Sequence, residues 1–286
     1  MRAVPVDPAR FAVVGSPIGH SLSPVLHRAA YRELGLAGAA HYTAHEVGAG
    51  ELKTFLSGAV GSELSGLSVT MPLKREAFAL AHRWDATTQR LGIANTLVRE
   101  SEGWRAENHD VHGIAAAIGC ATAASELRTA AILGSGATAC SAAAAIADLG
   151  IDDVVLCARS PEKLRPVLDV LAPHASTRLV DWDDLATCAR TDLLISALAQ
   201  SGAEAAAAML HDRTDSAPRA VLDVLYEPWP APVAAVLADR GSALASGLDM
   251  LVHQAGEQIK SMLGVPSAPL EAMRAAAEAE LTRRAA

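Results

Sequence analysis

The segment 128–160 limits the fold more than any other part of the chain. Residues 130–133 form a short apolar run that ends at Gly134, which is the pattern of a strand buried on both faces. An alanine-rich run predicts a helix over 137–149, and residues 153–157 predict a second buried strand. A strand, a glycine turn, a helix and a strand in this order are typical of a dinucleotide-binding βαβ unit.

The glycine turn predicts a pyrophosphate site. Gly134 permits a tight turn, Gly136 lacks a Cβ and lets a phosphate approach the backbone, and Ala139 lets the helix pack closely on the strand. The N–H groups and the dipole of the helix start would then face the phosphates. The expected cofactor contacts in this turn are Gly134, Ser135, Gly136, Ala137 and Thr138. The alternative is a βαβ turn that serves packing alone.

The end of the second strand favours NADP over NAD. An NAD site usually has an acidic residue about twenty positions after the glycines, where it holds the ribose 2′-hydroxyl. Here residues 157–159 contain no acid. Arg159 and Lys163 are suited to a 2′-phosphate, with Ser160 adding a hydroxyl. The alternative is a solvated arginine on a loop, followed by a helix that begins at Pro161.

Length and composition limit which classes of protein the chain can belong to. The 286 residues are 51% hydrophobic, which allows two domains of ordinary size. The net charge of −8 argues against a nucleic-acid partner. The cysteines are widely spaced with no C-x-x-C pair, which suits a reducing cytoplasm and predicts no zinc site. Residues 1–14 contain no apolar stretch of signal-peptide length, and the apolar run 129–147 fits the nucleotide unit better than a membrane span.

Polar residues near predicted helix starts are candidates for the reacting end of the site. Ser23 precedes Pro24, so it is expected to be an N-cap, and Ser21 would form the turn before it. Two hydroxyls at a helix start are equally suited to bind a carboxylate. Lys74 lies in the first turn of a helix predicted from Pro72 to about residue 84. There it is either a surface lysine or a group that exchanges a proton.

Further along the chain, Asp110 begins another predicted helix. It is either an N-cap or a carboxylate that orients the substrate and pairs with Lys74. Strands predicted at 177–180, 192–196 and 220–224 continue the parallel sheet, and the loops after them should face the nicotinamide. His41 and His45 are four residues apart, but on a strand this spacing does not form a metal site. No metal is therefore expected.

Taken together, these segments resemble the shikimate dehydrogenase family. The residues that carry the resemblance are Ser21-Leu22-Ser23-Pro24, Val69-Thr70-Met71-Pro72-Leu73-Lys74, Asn95-Thr96-Leu97, Asn108-His109-Asp110, Gly134-Ser135-Gly136-Ala137, Arg159-Ser160 and the run from Gly247 to Gln254. They span nearly the whole chain in the family's order. The resemblance implies an α/β fold with an open α/β substrate domain over 1–111 and 246–286. It also implies a Rossmann-like NADP-binding domain over 112–245, with the last helices returning to the first domain.

The resemblance also implies the function. The family reversibly reduces 3-dehydroshikimate to shikimate with NADPH, in aromatic amino acid biosynthesis. Lys74 and Asp110 match its catalytic pair, and we expect Lys74 to stabilise and protonate the carbonyl oxygen as hydride reaches C3. Ser21 and Ser23 match the hydroxyls that hold the substrate carboxylate. Further matches are Thr70, Asn95, Tyr226 and Gln254 as substrate contacts, and Gly247 and Met250 close to the nicotinamide.

The chain departs from the family's usual residues at several positions. Ser68 stands where the family usually has an Asn that touches substrate hydroxyls. The other departures are His109 in place of a Thr, Ala158 in place of an Asn, Ala137 in place of a third glycine, and Leu198-Ala199 in place of a Thr-Ser pair. Lost polar groups weaken hydroxyl recognition, so preference between shikimate and quinate stays open. An NAD-dependent quinate/shikimate dehydrogenase and a non-catalytic NADP-binding regulator are the alternatives. A monomer and a homodimer are both compatible with the sequence.

Overall fold

Two separate sheets organise the chain in the computed structural model, which describes residues 8–122 and 127–286. Residues 1–7, half of the stretch in which the sequence shows no signal peptide, lie outside the described part. The first unit comprises Met1–His109 and Ala255–Ala286, and the second comprises Asp110–Gln254. The domain limits expected from the sequence end the nucleotide-binding domain at residue 245. In the structure the second unit ends nine residues later, inside the continuous helix Gly247–Leu263, where no turn signal marks the boundary.

The first unit contains a six-stranded mixed sheet in the order β2-β1-β3-β5-β6-β4. The strands are β1 (Ala9–Gly15), β2 (Ala40–Glu46), β3 (Gly66–Val69), β4 (Arg83–Trp84), β5 (Thr96–Glu100) and β6 (Gly103–Glu107). β1 pairs in parallel with β2 and β3, whereas β3, β5 and β6 pair antiparallel. β5 and β6 thus form a hairpin directly after Asn95.

Helices of the first unit come from both ends of the chain. They are α1 (Ser23–Glu33), α2 (Leu52–Ser57), α3 (Lys74–Leu80), α4 (Ala86–Leu91), the last part of α10 (Gly247–Leu263) and α11 (Leu270–Ala285). α11 packs against α1 and buries Met273 and Ala277 completely. This confirms that the last helices return to the first domain.

The helix predicted from Pro72 to about Trp84 is too long. α3 ends at Leu80, and Trp84 lies in β4, which pairs with β6. The indole N–H of Trp84 donates to the Phe78 carbonyl at 2.9 Å. Pairing with a distant strand therefore overrides the local helical pattern.

The second unit is a fully parallel six-stranded sheet in the order β12-β11-β10-β7-β8-β9. The strands are β7 (Thr129–Leu133), β8 (Asp153–Cys157), β9 (Ser176–Val180), β10 (Leu193–Ser196), β11 (Ala220–Asp223) and β12 (Ala243–Ser246). Numbered within the unit, this is the strand order 3-2-1-4-5-6 of a Rossmann fold. The strands predicted on either side of the glycine turn are confirmed.

The helices of the second unit include an alanine-rich one next to the first strand. They are α5 (Asp110–Ala121), α6 (Ala137–Asp148), α7 (Arg165–Leu171), α8 (Gln200–Arg213), α9 (Pro232–Ala238) and the first part of α10. Residues Ala139 to Ile146 of α6 are all buried. Small side chains let this helix lie close to the sheet, which suits a chain with only 3% aromatic residues. No helix within 8–122 or 127–286 is long and apolar enough to cross a membrane.

Candidate active site

The glycine turn lies between the carboxyl ends of two neighbouring strands, β7 and β10. Gly134 has φ +121°, and a Cβ added there would lie 2.7 Å from the Ala197 carbonyl oxygen. The Ala197 N–H in turn donates to the Leu133 carbonyl at 2.9 Å. Only glycine fits this conformation and this close approach. The first glycine therefore has the turn-forming role that the sequence predicts.

Gly136 has a different role, because its φ of −81° is open to any residue. A Cβ built there meets no atom of the described residues within 4 Å. Gly136 is the N-cap of α6, and the first N–H groups of a helix have no acceptor within it. The open space beside Gly136, together with the N–H groups and the dipole of the helix start, fits a diphosphate.

The position of the turn in the sheet supports the same ligand. From β7 the chain continues to β8 and β9 on one side, and from β10 it continues on the other. Parallel α/β sheets bind ligands at such a reversal point, beyond the carboxyl ends of the strands. The residues present thus fit a dinucleotide.

The basic residues expected at a 2′-phosphate lie after β8. Arg159 and Lys163 are exposed, and the Lys163 N–H donates to the Ser160 carbonyl at 3.0 Å in a short 3₁₀ segment. The Arg159 guanidinium lies 6.0 Å from the centre of the Trp182 ring. Two exposed cations on one short segment are suited to a phosphate. Their contact with a cofactor stays a prediction.

Three of the predicted site residues of the first unit lie close to one another along β3, α3 and β5. Thr70 follows β3, Lys74 is the first residue of α3, and Asn95 precedes β5. The Thr70 N–H donates to Val14 O at 2.9 Å, and the Lys74 carbonyl accepts from Ala94 N at 2.9 Å. Val69 N donates to Asn95 O at 2.7 Å, which ties the two segments together. Thr70 and Lys74 are half-buried, whereas Asn95 is buried.

The side-chain amide of Asn95 has a defined orientation. Its Oδ1 accepts from Thr96 Oγ1 at 2.8 Å and from His109 N–H at 3.0 Å. A backbone N–H can only donate, so the atom facing His109 must be the oxygen. The amide therefore turns its NH₂ group away from these two donors. His109 contributes through its backbone, and its imidazole contacts Glu107 at 2.9 Å.

The predicted N-cap at Ser23 is wrong. The N-cap is Leu22, and Ser23 is the first residue of α1. Because the chain turns helical one residue earlier than expected, the Ser23 hydroxyl is used elsewhere and hydrogen-bonds to Tyr42. Ser21 Oγ accepts from the Ser23 N–H at 3.3 Å. Ser21 and Ser23 are thus adjacent, as a carboxylate site requires.

The predicted residues of the second unit lie where α5 and α10 cross. Asp110 is buried at the first position of α5, and Gly247 is the first residue of α10. A Cβ on Gly113 would lie 2.6 Å from Met250 O and 2.9 Å from Gln254 Cβ, so the two helices are in close contact. Lys74 belongs to the first unit and Asp110 to the second, and their pairing stays a prediction.

The end of β11 and the loop after it hold two further groups. Tyr226 is half-buried there, and a Cβ on Gly247 would overlap the Val224 carbonyl. Asp223, which sequence reasoning missed, is buried at the end of β11, and burial raises its pKa to about 6. Its Oδ1 accepts from Leu225 N–H at 3.2 Å. A carboxylate within an otherwise apolar buried strand is the signal that could have found it.

Sequence reasoning also missed a buried polar cluster in the first unit, formed by His27, Tyr42, Ser68 and Gln258. Burial lowers the pKa of His27 to about 3, so its ring is neutral at physiological pH. Gln258 follows Gln254 by one helical turn in α10, which is the one signal in the sequence that points to it.

Comparison with known proteins gives the family. The family model described as the shikimate dehydrogenase substrate binding domain matches residues 13–97. A protein of Xylella fastidiosa named "Shikimate dehydrogenase (NADP(+))" is 32% identical over 268 residues, which cover 87% of this chain and 89% of that protein.

The chain belongs to the shikimate dehydrogenase family.

Solved structures of the shikimate dehydrogenase family share this architecture. The enzyme of Mycobacterium tuberculosis superposes with a TM-score of 0.84 at 39% identity, covering 95% of this chain and 100% of that one. The Thermus thermophilus shikimate 5-dehydrogenase, solved in complex with NADP(H) and shikimate, gives a TM-score of 0.80 at 25% identity. That match covers 94% of this chain and 98% of that one. The predicted fold class is thereby confirmed.

Proposed function

We propose that this protein reversibly reduces 3-dehydroshikimate to shikimate with NADPH, a step in aromatic amino acid biosynthesis. The observation that carries the proposal is the match, along nearly the whole chain, to proteins named shikimate dehydrogenase (NADP(+)). The lack of an acid at residues 157–159, at the end of β8, agrees with the cofactor in that name.

In this proposal the Rossmann unit holds the cofactor. The turn 134–138 and the start of α6 bind the pyrophosphate, and Arg159, Ser160 and Lys163 bind the 2′-phosphate. Gly247 and Met250 line the nicotinamide end. Once bound, the cofactor supplies the hydride for the carbonyl carbon.

The chemistry assigned to the protein is proton transfer and charge stabilisation. Negative charge develops on the substrate oxygen as the carbonyl is reduced, and the Lys74 ammonium stabilises it and donates the proton. The Asp110 carboxylate holds Lys74 in position and anchors a substrate hydroxyl. The backbone of Lys74 is fixed for this by its carbonyl, which accepts from Ala94 N–H.

Substrate binding is assigned to hydroxyls and amides. The Ser21 and Ser23 hydroxyls hold the carboxylate, and the Asn95 amide donates to a ring hydroxyl. Thr70, Tyr226 and Gln254 complete the contacts. Buried hydroxyls and amides of this kind discriminate strongly against an analogue that lacks the matching hydroxyl, because the protein groups would then have no hydrogen-bond partner.

Replacement of Lys74 tests the proposal directly. Lys74→Met keeps the length of the side chain and removes the proton, so we expect turnover to fall roughly a thousandfold, as for loss of a general acid. NADPH affinity, measured by fluorescence titration, should stay within about twofold of wild type, because the cofactor contacts belong to the other unit. Lys53→Met, on the exposed face of α2, is the matched control. Wild-type turnover in Lys74→Met would remove this residue from the mechanism.

Substrate and cofactor preference need a paired assay. Rates of NADP⁺ and NAD⁺ reduction are measured with shikimate and with quinate, and we expect NADP⁺ with shikimate to be fastest. Faster rates with NAD⁺ and quinate would instead identify a quinate dehydrogenase. NADPH binding without any oxidation of shikimate or quinate would identify a regulator.

We also propose a cytoplasmic location and a monomer or homodimer. Sedimentation analysis would distinguish the monomer from the homodimer.

A further inference from the structure

A buried chain of hydrogen bonds lies behind the residues proposed to hold the substrate, entirely within the first unit. Tyr42 Oη donates to Ser68 Oγ at 2.6 Å, and Ser68 Oγ donates to Gln258 Oε1 at 2.8 Å. Gln258 Nε2 then donates to Asn95 O at 3.1 Å and to Thr96 Oγ1 at 2.9 Å. Gln258 is only 1% exposed, so water does not compete for these contacts.

The direction of these bonds follows from the chemistry of the groups. The Asn95 carbonyl can only accept, so the Gln258 atom facing it is the NH₂ nitrogen and the other is the oxygen. Ser68 gives its only proton to that oxygen and therefore accepts from Tyr42. His27 Nε2 lies 3.4 Å from the same oxygen, and the ring stacks on Tyr42 with centroids 3.9 Å apart.

One end of the chain of bonds orients Asn95. Thr96 Oγ1 accepts from Gln258 and donates onward to Asn95 Oδ1 at 2.8 Å, where His109 N–H also donates. Gln258 therefore acts on Asn95 twice, through its backbone carbonyl and through the Thr96 hydroxyl. The contact through Thr96 favours the amide orientation in which Oδ1 accepts and the NH₂ group serves as donor, and the contact with the carbonyl holds the Asn95 backbone in place.

The other end reaches Ser23. The Ser23 hydroxyl bonds to Tyr42, whose own hydroxyl is fixed by Ser68. One amide on α10 thus connects the serine proposed for the carboxylate with the asparagine proposed for a ring hydroxyl.

We propose that Gln258 is a positioning residue for substrate recognition, which fixes the Asn95 amide as a hydrogen-bond donor to a substrate hydroxyl. This rests on the proposed function, which assigns Asn95 to the substrate. Stability alone gives little reason for an amide here, because apolar groups of similar shape replace a satisfied polar pair at almost no net cost. The hydrogen bonds instead specify one orientation of one side chain.

Kinetics of two Gln258 variants test the inference in the full-length protein. Gln258→Leu removes every bond of the amide, whereas Gln258→Glu keeps the oxygen facing Ser68 and places a second oxygen against Asn95 O. We expect KM for shikimate to rise about tenfold in both, as for the net loss of a hydrogen bond or two. KM for NADP⁺ should stay within about twofold. Gln89→Leu, an exposed glutamine on α4, is the matched control.

A double-mutant cycle with Asn95→Ala separates positioning from general destabilisation. If Gln258 acts through Asn95, Gln258→Leu should change KM for shikimate less than about twofold once Asn95 is alanine. Fully multiplicative effects would overturn the inference. If Asn95→Ala alone leaves KM for shikimate unchanged, the proposed substrate site fails instead, so the two failures are distinguishable.

A further variant covers the case in which Gln258→Leu does not fold. Thr96→Val removes only the hydroxyl that connects Gln258 to Asn95 Oδ1, at nearly constant volume. We expect a folded protein with a severalfold higher KM for shikimate and an unchanged KM for NADP⁺. Wild-type kinetics in soluble Thr96→Val would overturn the proposal.

Discussion

His27 is fully buried between Tyr31 and Tyr42, and its ring contacts come from both neighbours. Burial lowers its pKa from 6.5 to about 3. The unfolded chain therefore binds a proton on this residue at a higher pH than the folded chain does. The stability that the neutral ring contributes is fully present above pH 6.5 and is lost as pH falls toward about 3.

Replacing His27 should make the protein less sensitive to acid. The free energy of unfolding of wild type should fall by about 1.4 kcal/mol per pH unit from this residue alone below its unfolded pKa. His27→Phe cannot be protonated, so its urea-unfolding curves at pH 8, 6 and 5 should show a shallower decline. His41→Phe, an exposed position on β2, should decline as wild type does. Equal slopes for wild type and His27→Phe would contradict the assignment.

Individual residues differ in how far the sequence can predict them. Local pattern places Lys74 and Asp110 near helix starts and the glycines in a strand–helix turn. It leaves two interpretations open for each charged residue, and only the family resemblance chooses between them. The role of Gln258 depends on contacts with Ser68 and Asn95, more than 160 positions away. No local pattern encodes such a contact, because it exists only once α10 packs on the first sheet.

The two glycines of the strand–turn–helix element should respond differently to an added methyl group. Gly136→Ala meets open space and an allowed φ, so we expect nearly unchanged thermal stability. The added Cβ would occupy the approach to the start of α6, so NADPH affinity by fluorescence titration should fall at least about tenfold. Unchanged affinity would mean that the phosphates bind elsewhere.

Gly134→Ala should instead damage the fold. It combines a left-handed φ with overlap of the Ala197 carbonyl, so the melting temperature should drop by several degrees before any ligand is added. Gly119→Ala, which meets open space in α5, is the control and should be neutral or stabilising by up to about 1 kcal/mol. A stable Gly134→Ala protein would contradict the geometry of the turn.

At the level of elements, apolar runs predict the buried parallel strands within a residue or two, because burial on both faces leaves a continuous signal. The end of α3 and the N-cap of α1 were less predictable. β4 replaces the last helical turn through its pairing with β6, and Leu22 takes the cap position from Ser23. Both depend on tertiary contacts that local sequence does not contain.

The whole molecule contains one unit built from two distant parts of the chain. α11 and the last part of α10 complete the unit that begins with β1, and Met273 is fully buried against it. Met273→Ala should lower the free energy of unfolding of this unit by about 2–5 kcal/mol, as for other large-to-small core changes. Met71→Ala, at a side chain 63% exposed, is the control for stability.

Hydrogen exchange by mass spectrometry should show where Met273→Ala acts. Faster exchange is expected in α1 and α11, with β7 and β10 of the other unit unchanged, because each unit has its own core. Uniformly faster exchange in both units would show instead that the two unfold together.

The split of the first unit also sets an order of events during synthesis. The Rossmann unit is one continuous segment, Asp110–Gln254, so all its residues are translated before residues 255–286, which the first unit also needs. The N-terminal sheet must therefore wait on the ribosome without α11 until that later segment has been made. A premature stop codon directly after Gln254 would leave the nucleotide-binding unit intact and the first unit unfinished.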